Sequence, residues 1–297
     1  MDSVLITMPE TLREFLIALT VVQELQIQMI QGASKNPPLR EVNFSITFRL
    51  SEKFKYFEPC LQVVNNVVPT FDYSGWNEYS RGEFTNFVDF DFESAKIIAK
   101  ANQLHITEAF GAKLGTTLNA LQFGMYPGKQ AILTPLKLLT EDSIKINVIE
   151  WDFDMQSGYK LKEYIENNYP DLQVVYSISV KPLCEMDVLF KTVNSYTVVI
   201  GCMSEITYIE ASLDKALIEI FHTDEDCYLY HNKNLPHYEC VVGNPTASYV
   251  WYLWEKLWEN LSESIQNMKS QEHQTQTQPL VSTVSNVEEK SSDKPDQ

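Results

Sequence analysis

Val188-Leu-Phe-Lys-Thr-Val-Asn-Ser-Tyr-Thr-Val-Val-Ile-Gly-Cys-Met-Ser-Glu-Ile-Thr-Tyr-Ile-Glu-Ala-Ser-Leu-Asp-Lys-Ala-Leu-Ile-Glu-Ile-Phe-His-Thr-Asp-Glu-Asp226 is the stretch whose residue types decide the fold. Residues 196–200 are a short run rich in β-branched side chains, closed by Gly201, as expected of a strand buried on both faces. Residues 201–204 make the turn. Ser204 is placed to cap a helix running to Leu213, with Ile206, Ile209 and Leu213 on its apolar side, and residues 216–221 are the next strand. Strand, helix and strand in this order form a crossover of a parallel sheet, where ligands sit at the ends of strands and the starts of helices. The expected site is therefore residues 201–207 together with 222–226.

The same alternation continues on both sides. Upstream, residues 144–149 read as a strand, 159–168 as a helix, 172–178 as a strand and 186–193 as a helix. Downstream, 228–230 and 238–242 are strand-like, and 246–268 is a helix with Trp251, Trp254 and Trp258 on one face. The run 270–297 is Gln-, Ser-, Thr- and Glu-rich and reads as a disordered tail. The first half opens with a strand at 3–7, a turn at Met8-Pro9-Glu10 and a helix over 11–30 with Leu12, Phe15, Leu16, Leu19 and Val22 on one side. Strands follow at 42–49 and 85–92, a short helix at 54–61, and a third strand within 61–64 or at Val67-Val68. Residues 69–82 form an aromatic loop with Phe71, Tyr73, Trp76 and Tyr79, which either stacks on a ligand or folds onto its own domain. Helices are expected at 93–101 and 105–115, and Tyr126-Pro127-Gly128 begins a linker. The division is thus 1–126, 127–268 and a tail over 270–297.

With 297 residues, 44% of them hydrophobic, the chain can bury two cores. Its 23 basic and 40 acidic residues give a net charge of −17, which repels phosphate backbones and anionic lipid, so a nucleic-acid partner is disfavoured. Five cysteines without a Cys-x-x-Cys pair read as reduced thiols of a cytoplasmic protein, and no His, Cys, Asp or Glu group has the spacing of a metal site. No apolar run reaches the roughly 18 residues of a membrane span, and the start lacks the basic region of a signal peptide.

Residues 190–221 resemble the C-terminal signature of the heptosyltransferase-family glycosyltransferases, a strand followed by Gly-x-Asp-Ser-Gly-x-x-His and a further strand. Ser204 is kept, whereas Met203 stands at the Asp, Glu205 at the second Gly and Tyr208 at the His. Near the start, Pro9-Glu-Thr-Leu-Arg13-Glu14 is similar to the family's Pro-x-x-x-Gly-Asp loop, with Arg13 at the Gly and Glu14 at the catalytic Asp. His105-Ile-Thr-Glu108 through Leu114-Gly115 is similar to its His-x-hydrophobic-acid helix. Where the family has a Gly-rich turn and Lys-x-Trp-Pro, this chain has Met155-Gln-Ser-Gly158-Tyr-Lys160, preceded by Glu150, Asp152 and Asp154, which repel a diphosphate unless a divalent cation intervenes.

The resemblance implies an α/β, GT-B-like fold of two Rossmann-like αβα domains facing a cleft. It implies transfer of a sugar from a nucleotide-sugar donor to a hydroxyl of a glycan or other acceptor, with no cofactor and no metal. Glu14 would take the hydroxyl's proton, Gly158, Lys160, Gly201 and Ser204 would hold the donor, and His105 would contact the acceptor. Each residue also has a plainer reading. Glu14 suits a helix N-terminus by its charge, His105 a helix start beside Glu108, Ser204 a helix cap, and the acidic run a solvated loop. Two other functions remain open: a catalytically inactive GT-B-like protein acting as a binding or interaction protein, and a DNA-base glycosyltransferase, which the charge opposes. The transferase reading requires two sheets and a gap between the first loop and the Gly201 corner.

Overall fold

Residues Asp2–Thr7 form β1, and α1 (Leu12–Lys35) returns from its end to β2 (Phe44–Arg49), which lies parallel to β1. The computed structural model describes residues 2–35, 44–61, 69–73, 84–118, 144–149, 155–177, 186–213, 215–232 and 234–277. A 3-10 helix (Glu52–Leu61) leads from β2 to β3 (Thr70–Asp72), and β4 (Asn86–Asp89) is followed by α2 (Phe92–Asn102) and α3 (Ile106–Lys113). The first sheet has the order β3-β2-β1-β4 with every pairing parallel. Parallel strands need crossover helices, which the 3.6-residue spacing of the α1 side chains supplies: Leu12, Phe15, Leu16, Leu19 and Val22 are all buried. Phe15 stacks on Phe54 at 4.2 Å and meets Phe57 at 5.1 Å. Each such buried ring contributes roughly 1.5–3 kcal/mol.

The second lobe runs β5 (Lys145–Ile149), α4 (Met155–Asn168), β6 (Gln173–Ser177), α5 (Met186–Asn194), β7 (Val198–Cys202), α6 (Glu205–Ser212), β8 (Ala216–Phe221), α7 (Asp224–Tyr230), β9 (Tyr238–Val242) and α8 (Ala247–Thr277). Its parallel sheet has the order β6-β5-β7-β8-β9, one of the doubly wound arrangements. All of β7 and β8 is buried, in keeping with runs that are apolar except for Glu219. Trp254 is fully buried, stacks on Trp258 at 5.4 Å, and shares Tyr169 with Trp251 and Trp258. The tryptophan face is core packing.

Both sheets belong to one compact unit ending at Leu261, and a second unit begins at Ser262. Within the first unit one hydrophobic cluster takes in Phe15, Phe48 and Phe110 of the first lobe and Tyr208, Phe221 and Tyr230 of the second.

Several expected elements differ. The third strand is Thr70–Asp72, inside the stretch read as an aromatic loop, and its Phe71 stacks on Phe48 at 6.0 Å; Trp76 and Tyr79 lie outside the described residues, as do 62–68. β7 extends through Gly201 and Cys202, so the turn starts only at Met203. Residues 228–230 are helical, because Thr223 caps α7 by accepting from the Asp226 amide at 3.0 Å and three acids occupy its first turn. α8 continues through Thr277, past the expected end at 268, while 278–297 lie outside the described residues. The expected boundary at 126/127 and the acidic run at 150–154 also lie outside them. Among the described residues, no helix is long and apolar enough to cross a membrane.

Candidate functional site

In the first sheet the strand order reverses between β1 and β4, and an open α/β sheet takes its ligand at the carboxyl ends of such strands. A cavity of about 380 Å³ lies at that point, lined by residues 7–10, Glu14 and residues 89–93. Pro9 and Glu10 end the strand, and Thr11 starts α1: its hydroxyl donates to Glu14 Oε2 at 3.0 Å and accepts the Glu14 amide at 3.4 Å. Lys96 Nζ lies 2.9 Å from Glu93 and 3.9 Å from Glu14. On the facing loop Asp91 caps α2, accepting the Ser94 amide at 3.1 Å and the Ser94 hydroxyl, and Lys113 stands 3.3 Å away. The hydrogen bonds from Ser94, then Lys113, hold the Asp91 carboxyl down at about 2. The cavity therefore presents Glu10, Glu14, Asp89, Asp91 and Glu93, partly balanced by Lys96 and Lys113; the hydrogen bonds that stabilise the Asp91 carboxylate make it a poor base, whereas a carboxylate positioned as Glu14 is can accept a proton from a hydroxyl.

The second sheet reverses between β5 and β7, at Ile149 and Gly201. Among the described residues, which leave out 150–154 after β5, the groups at this point approach closely. A Cβ on Gly201 would stand 2.7 Å from Ile149 Cβ, and one on Gly158 would stand 3.2 Å from the Tyr176 ring and 3.7 Å from the Ile149 carbonyl oxygen. Gly201 is thus required for packing against β5, whereas a side chain at Gly158 would need only the Tyr176 ring to give slightly, and Gly158 sits within α4, not on a loop. Lys160 is exposed on the same helix and lines a separate cavity of about 400 Å³ with Gln156, Tyr159, Glu163 and Tyr176, which shares no lining residue with the Gly201–Ser204 corner.

At that corner the Met203 amide donates to Ile220 O at 2.9 Å and the Ser204 amide to Thr207 Oγ1 at 2.9 Å. Ser204 caps α6 by accepting the Thr207 amide at 3.4 Å, which leaves its own hydroxyl proton available to a ligand. Tyr208 is buried, and its hydroxyl donates to the Met203 sulfur at 3.4 Å. Above them the Arg13 guanidinium lies 5.3 Å from the centre of the Tyr230 ring and 6.0 Å from that of Tyr208. Of the positions where the family resemblance fails, Tyr208 therefore touches both Met203 and Arg13, and through Arg13 the lobes are joined. Lys100 of α2 and Glu225 of α7 add an ion pair at 2.6 Å.

His105 caps α3. Its amide donates to Glu108 Oε2 at 2.8 Å, its Nδ1 lies 2.8 Å from Thr107 Oγ1, and its ring is buried edge-on to His231 at 5.9 Å. It does not line the cavity that holds Glu14. The structure thus brings Gly158 and Gly201 to Ile149 and joins the start of α1 to α6 through Arg13, while Lys160 lines a different cavity from Glu14 and His105 lines neither.

One group beneath the corner escaped the sequence reading. Glu219 is buried in the middle of β8, where burial pushes its carboxyl up to about 7 against opposing hydrogen bonds from Thr207, Tyr238 and Asn232. The Tyr238 hydroxyl donates to it at 3.0 Å. Thr207 is the residue that completes the α6 capping box, so Glu219 supports the helix start from below. A lone acid inside Ala-Leu-Ile-Glu-Ile-Phe was the available signal. Among the described residues, no group of three or more His, Cys, Asp and Glu is arranged to hold a metal.

No protein-family model matches the chain, and no curated protein matches it. Among solved structures it is similar to the Escherichia coli heptosyltransferase WaaC with ADP, at 12% identity and a TM-score of 0.51 over 86% of this chain and 99% of that one. It is also similar to the dodecameric iron-containing glycosyltransferase TibC of enterotoxigenic E. coli (8% identity, TM-score 0.49, 83% and 64% covered). A third is a glycosyl transferase family 9 protein of Veillonella parvula (9% identity, TM-score 0.48, 81% and 86% covered). Likeness at such identity concerns fold and not chemistry. The chain has the GT-B-like fold of the heptosyltransferases, in divergent form.

Proposed function

We propose that the protein is a glycosyltransferase that moves a sugar from a nucleotide-sugar donor to a hydroxyl of a glycan or other acceptor, with Glu14 as the general base. The observation that carries this reading is the cavity at the β1/β4 reversal, with Glu14 in its wall and its carboxylate aligned by Thr11 and Lys96. An attacking hydroxyl must lose its proton as it bonds to the anomeric carbon, and a positioned carboxylate supplies that base. The leaving diphosphate would fall to the α6 start, where the Ser204 hydroxyl and the helix N-terminus favour an anion. Glu205 opposes this with its own charge. Donor roles for Gly158, Lys160 and Gly201, and acceptor contact by His105, belong to the same proposal and carry less support. Gly201 has a packing reason of its own, Gly158 lies within a helix, Lys160 lines a different cavity, and His105 is buried. ADP in the WaaC structure makes an adenine nucleotide the first donor to try.

A second reading is favoured by one specific contact. Arg13 on Tyr208 and Tyr230 bridges the start of α1 and the second lobe, where the transferase reading requires a gap, as expected of a GT-B-like protein that has become a binding or interaction protein. Calorimetry with ADP, UDP and GDP and their sugar conjugates separates the two. Heat of binding with turnover of a bound sugar nucleotide supports the transferase, and the absence of heat for every nucleotide leaves the binding-protein reading.

A further inference from the structure

On α4 the residues Gln156, Tyr159, Lys160 and Glu163 recur at the spacing of one helical face, and with Tyr176 of β6 they wall the cavity of about 400 Å³. Gly158 leaves room for the Tyr176 ring, which a Cβ there would meet at 3.2 Å. Tyr159 stands 5.9 Å from Tyr176 with the ring planes at 86°, so the two rings make a right-angled aromatic corner. Tyr159 keeps 51% of its surface exposed, which leaves its ring open to a ligand. Lys160 and Glu163 flank the rings with opposite charges, and among the described residues neither makes a hydrogen bond or an ion pair. Lys162, 5.9 Å from the centre of the Tyr159 ring, is by contrast already paired with Glu166 at 2.7 Å.

We propose that this cavity binds a neutral pyranose ring of a glycan, with the apolar face of the sugar on Tyr159 and its hydroxyls on Lys160 and Glu163. A sugar ring has a face of C–H groups, which packs on an aromatic ring, and an edge of hydroxyls, each of which both donates and accepts. The Lys160 ammonium only donates and the Glu163 carboxylate only accepts, so two neighbouring hydroxyls satisfy both at once. The two charges cancel, which gives an anionic or cationic ligand no advantage over a neutral one. A nucleobase is served less well, because it stacks between parallel groups and the second ring here is perpendicular to the first. The cavity shares no lining residue with the one that holds Glu14, so a glycan binds here whether or not the chain transfers sugar; the two roles compete only for Lys160.

The test is saturation-transfer NMR on the full chain with no nucleotide present. The probes are the methyl glycosides of glucose, galactose, mannose and N-acetylglucosamine, with glucuronate, glucosamine and adenosine as charged and planar controls. At least one neutral glycoside should bind, with a Kd on the order of 1 mM, and more tightly than every control. Tyr159→Ala should weaken that binding about 10-fold, whereas Tyr159→Phe should keep it, because stacking needs the ring and not the hydroxyl. Lys160→Met and Glu163→Gln should each weaken it about 3- to 10-fold. No bound glycoside, a control bound more tightly than all of them, or binding that survives Tyr159→Ala would each overturn the proposal. The last result would put the sugar elsewhere, the Glu14 cavity included, and donor calorimetry decides the transferase reading separately. The comparison of probes on the wild-type chain needs no variant, so a substitution that failed to fold would leave the test intact.

Discussion

The two sheets share one topological device, a reversal of strand order, and use it in opposite ways. At the β1/β4 reversal the loops stand apart around a cavity of about 380 Å³ walled by carboxylates. At the β5/β7 reversal Gly201 and Gly158 face Ile149 at close range, and in the turn and helix that follow β7 a methionine and a tyrosine bond to each other. Among the described residues, the same fold rule therefore frames a cavity in one lobe and close packing in the other. The difference comes from residue size at a few positions, because a close-packed interior has no space that a side chain does not claim. Divergence of the second reversal was read in the sequence as a loss of polar groups; in the structure it is a gain of contacts.

The sharpest way to break this contrast is at the open reversal. Glu14→Gln keeps the shape of the side chain and removes the base, so any transfer activity should fall by about 10²–10⁴-fold with little change in stability. A steady-state transfer assay reads it, and an unchanged rate would remove Glu14 from the mechanism.

At the closed reversal the largest expected effect is on pH dependence. Glu219 has a folded value of about 7 against an ordinary 4.5, raised chiefly by burial. The folded state therefore holds the proton more tightly than the unfolded chain. The stability this contributes is complete below about 4.5 and is lost as pH rises through about 7. From pH 5 to pH 8 the unfolding free energy read from urea titration should drop by an amount on the order of a few kcal/mol for the wild type. Glu219→Gln should be nearly level across the same window.

Gly201→Ala tests the packing itself. Its Cβ would meet the root of a branched side chain at 2.7 Å, where no flexible end can swing aside, so overpacking should cost about 1–3 kcal/mol in thermal unfolding. A cost near zero would mean that the β5/β7 corner has room after all.

Ser204 gives the smallest effect and the finest distinction. Ser204→Ala should cost about 1 kcal/mol through the lost cap, and Ser204→Gly only a few tenths. If the hydroxyl also donates to a diphosphate, calorimetry should show weaker ADP binding in both variants; loss confined to the alanine variant would assign Ser204 to capping alone.

Much of the fold was legible before any coordinates. The β-branched run closed by Gly201 gave β7, Ser204 was placed at the α6 cap, and the spacing of Leu12, Phe15, Leu16, Leu19 and Val22 marked the buried side of α1. These features depend on neighbours within a few residues, where chain geometry is fixed. What was misread has equally local causes. Tyr228-Leu-Tyr230 has strand-like side chains, yet the Thr223 cap and the acids behind it carry the chain into a helix. The third strand was sought in a valine-rich run and lies in Thr70–Asp72, because pairing with β2 decides where a three-residue strand forms.

Taken alone, the sequence determined the alternation of strands and helices, the buried strand and its capped successor, the acid that follows the first strand, and a net charge of −17. Only the tertiary structure decided that Glu14 borders a cavity, that Lys160 and His105 do not share it, and that Tyr208 meets both Arg13 and Met203. Periodicity and capping act between residues close in the chain, whereas a cavity or a filled corner is set by the volumes of side chains that are distant in sequence and brought together only when both lobes have folded.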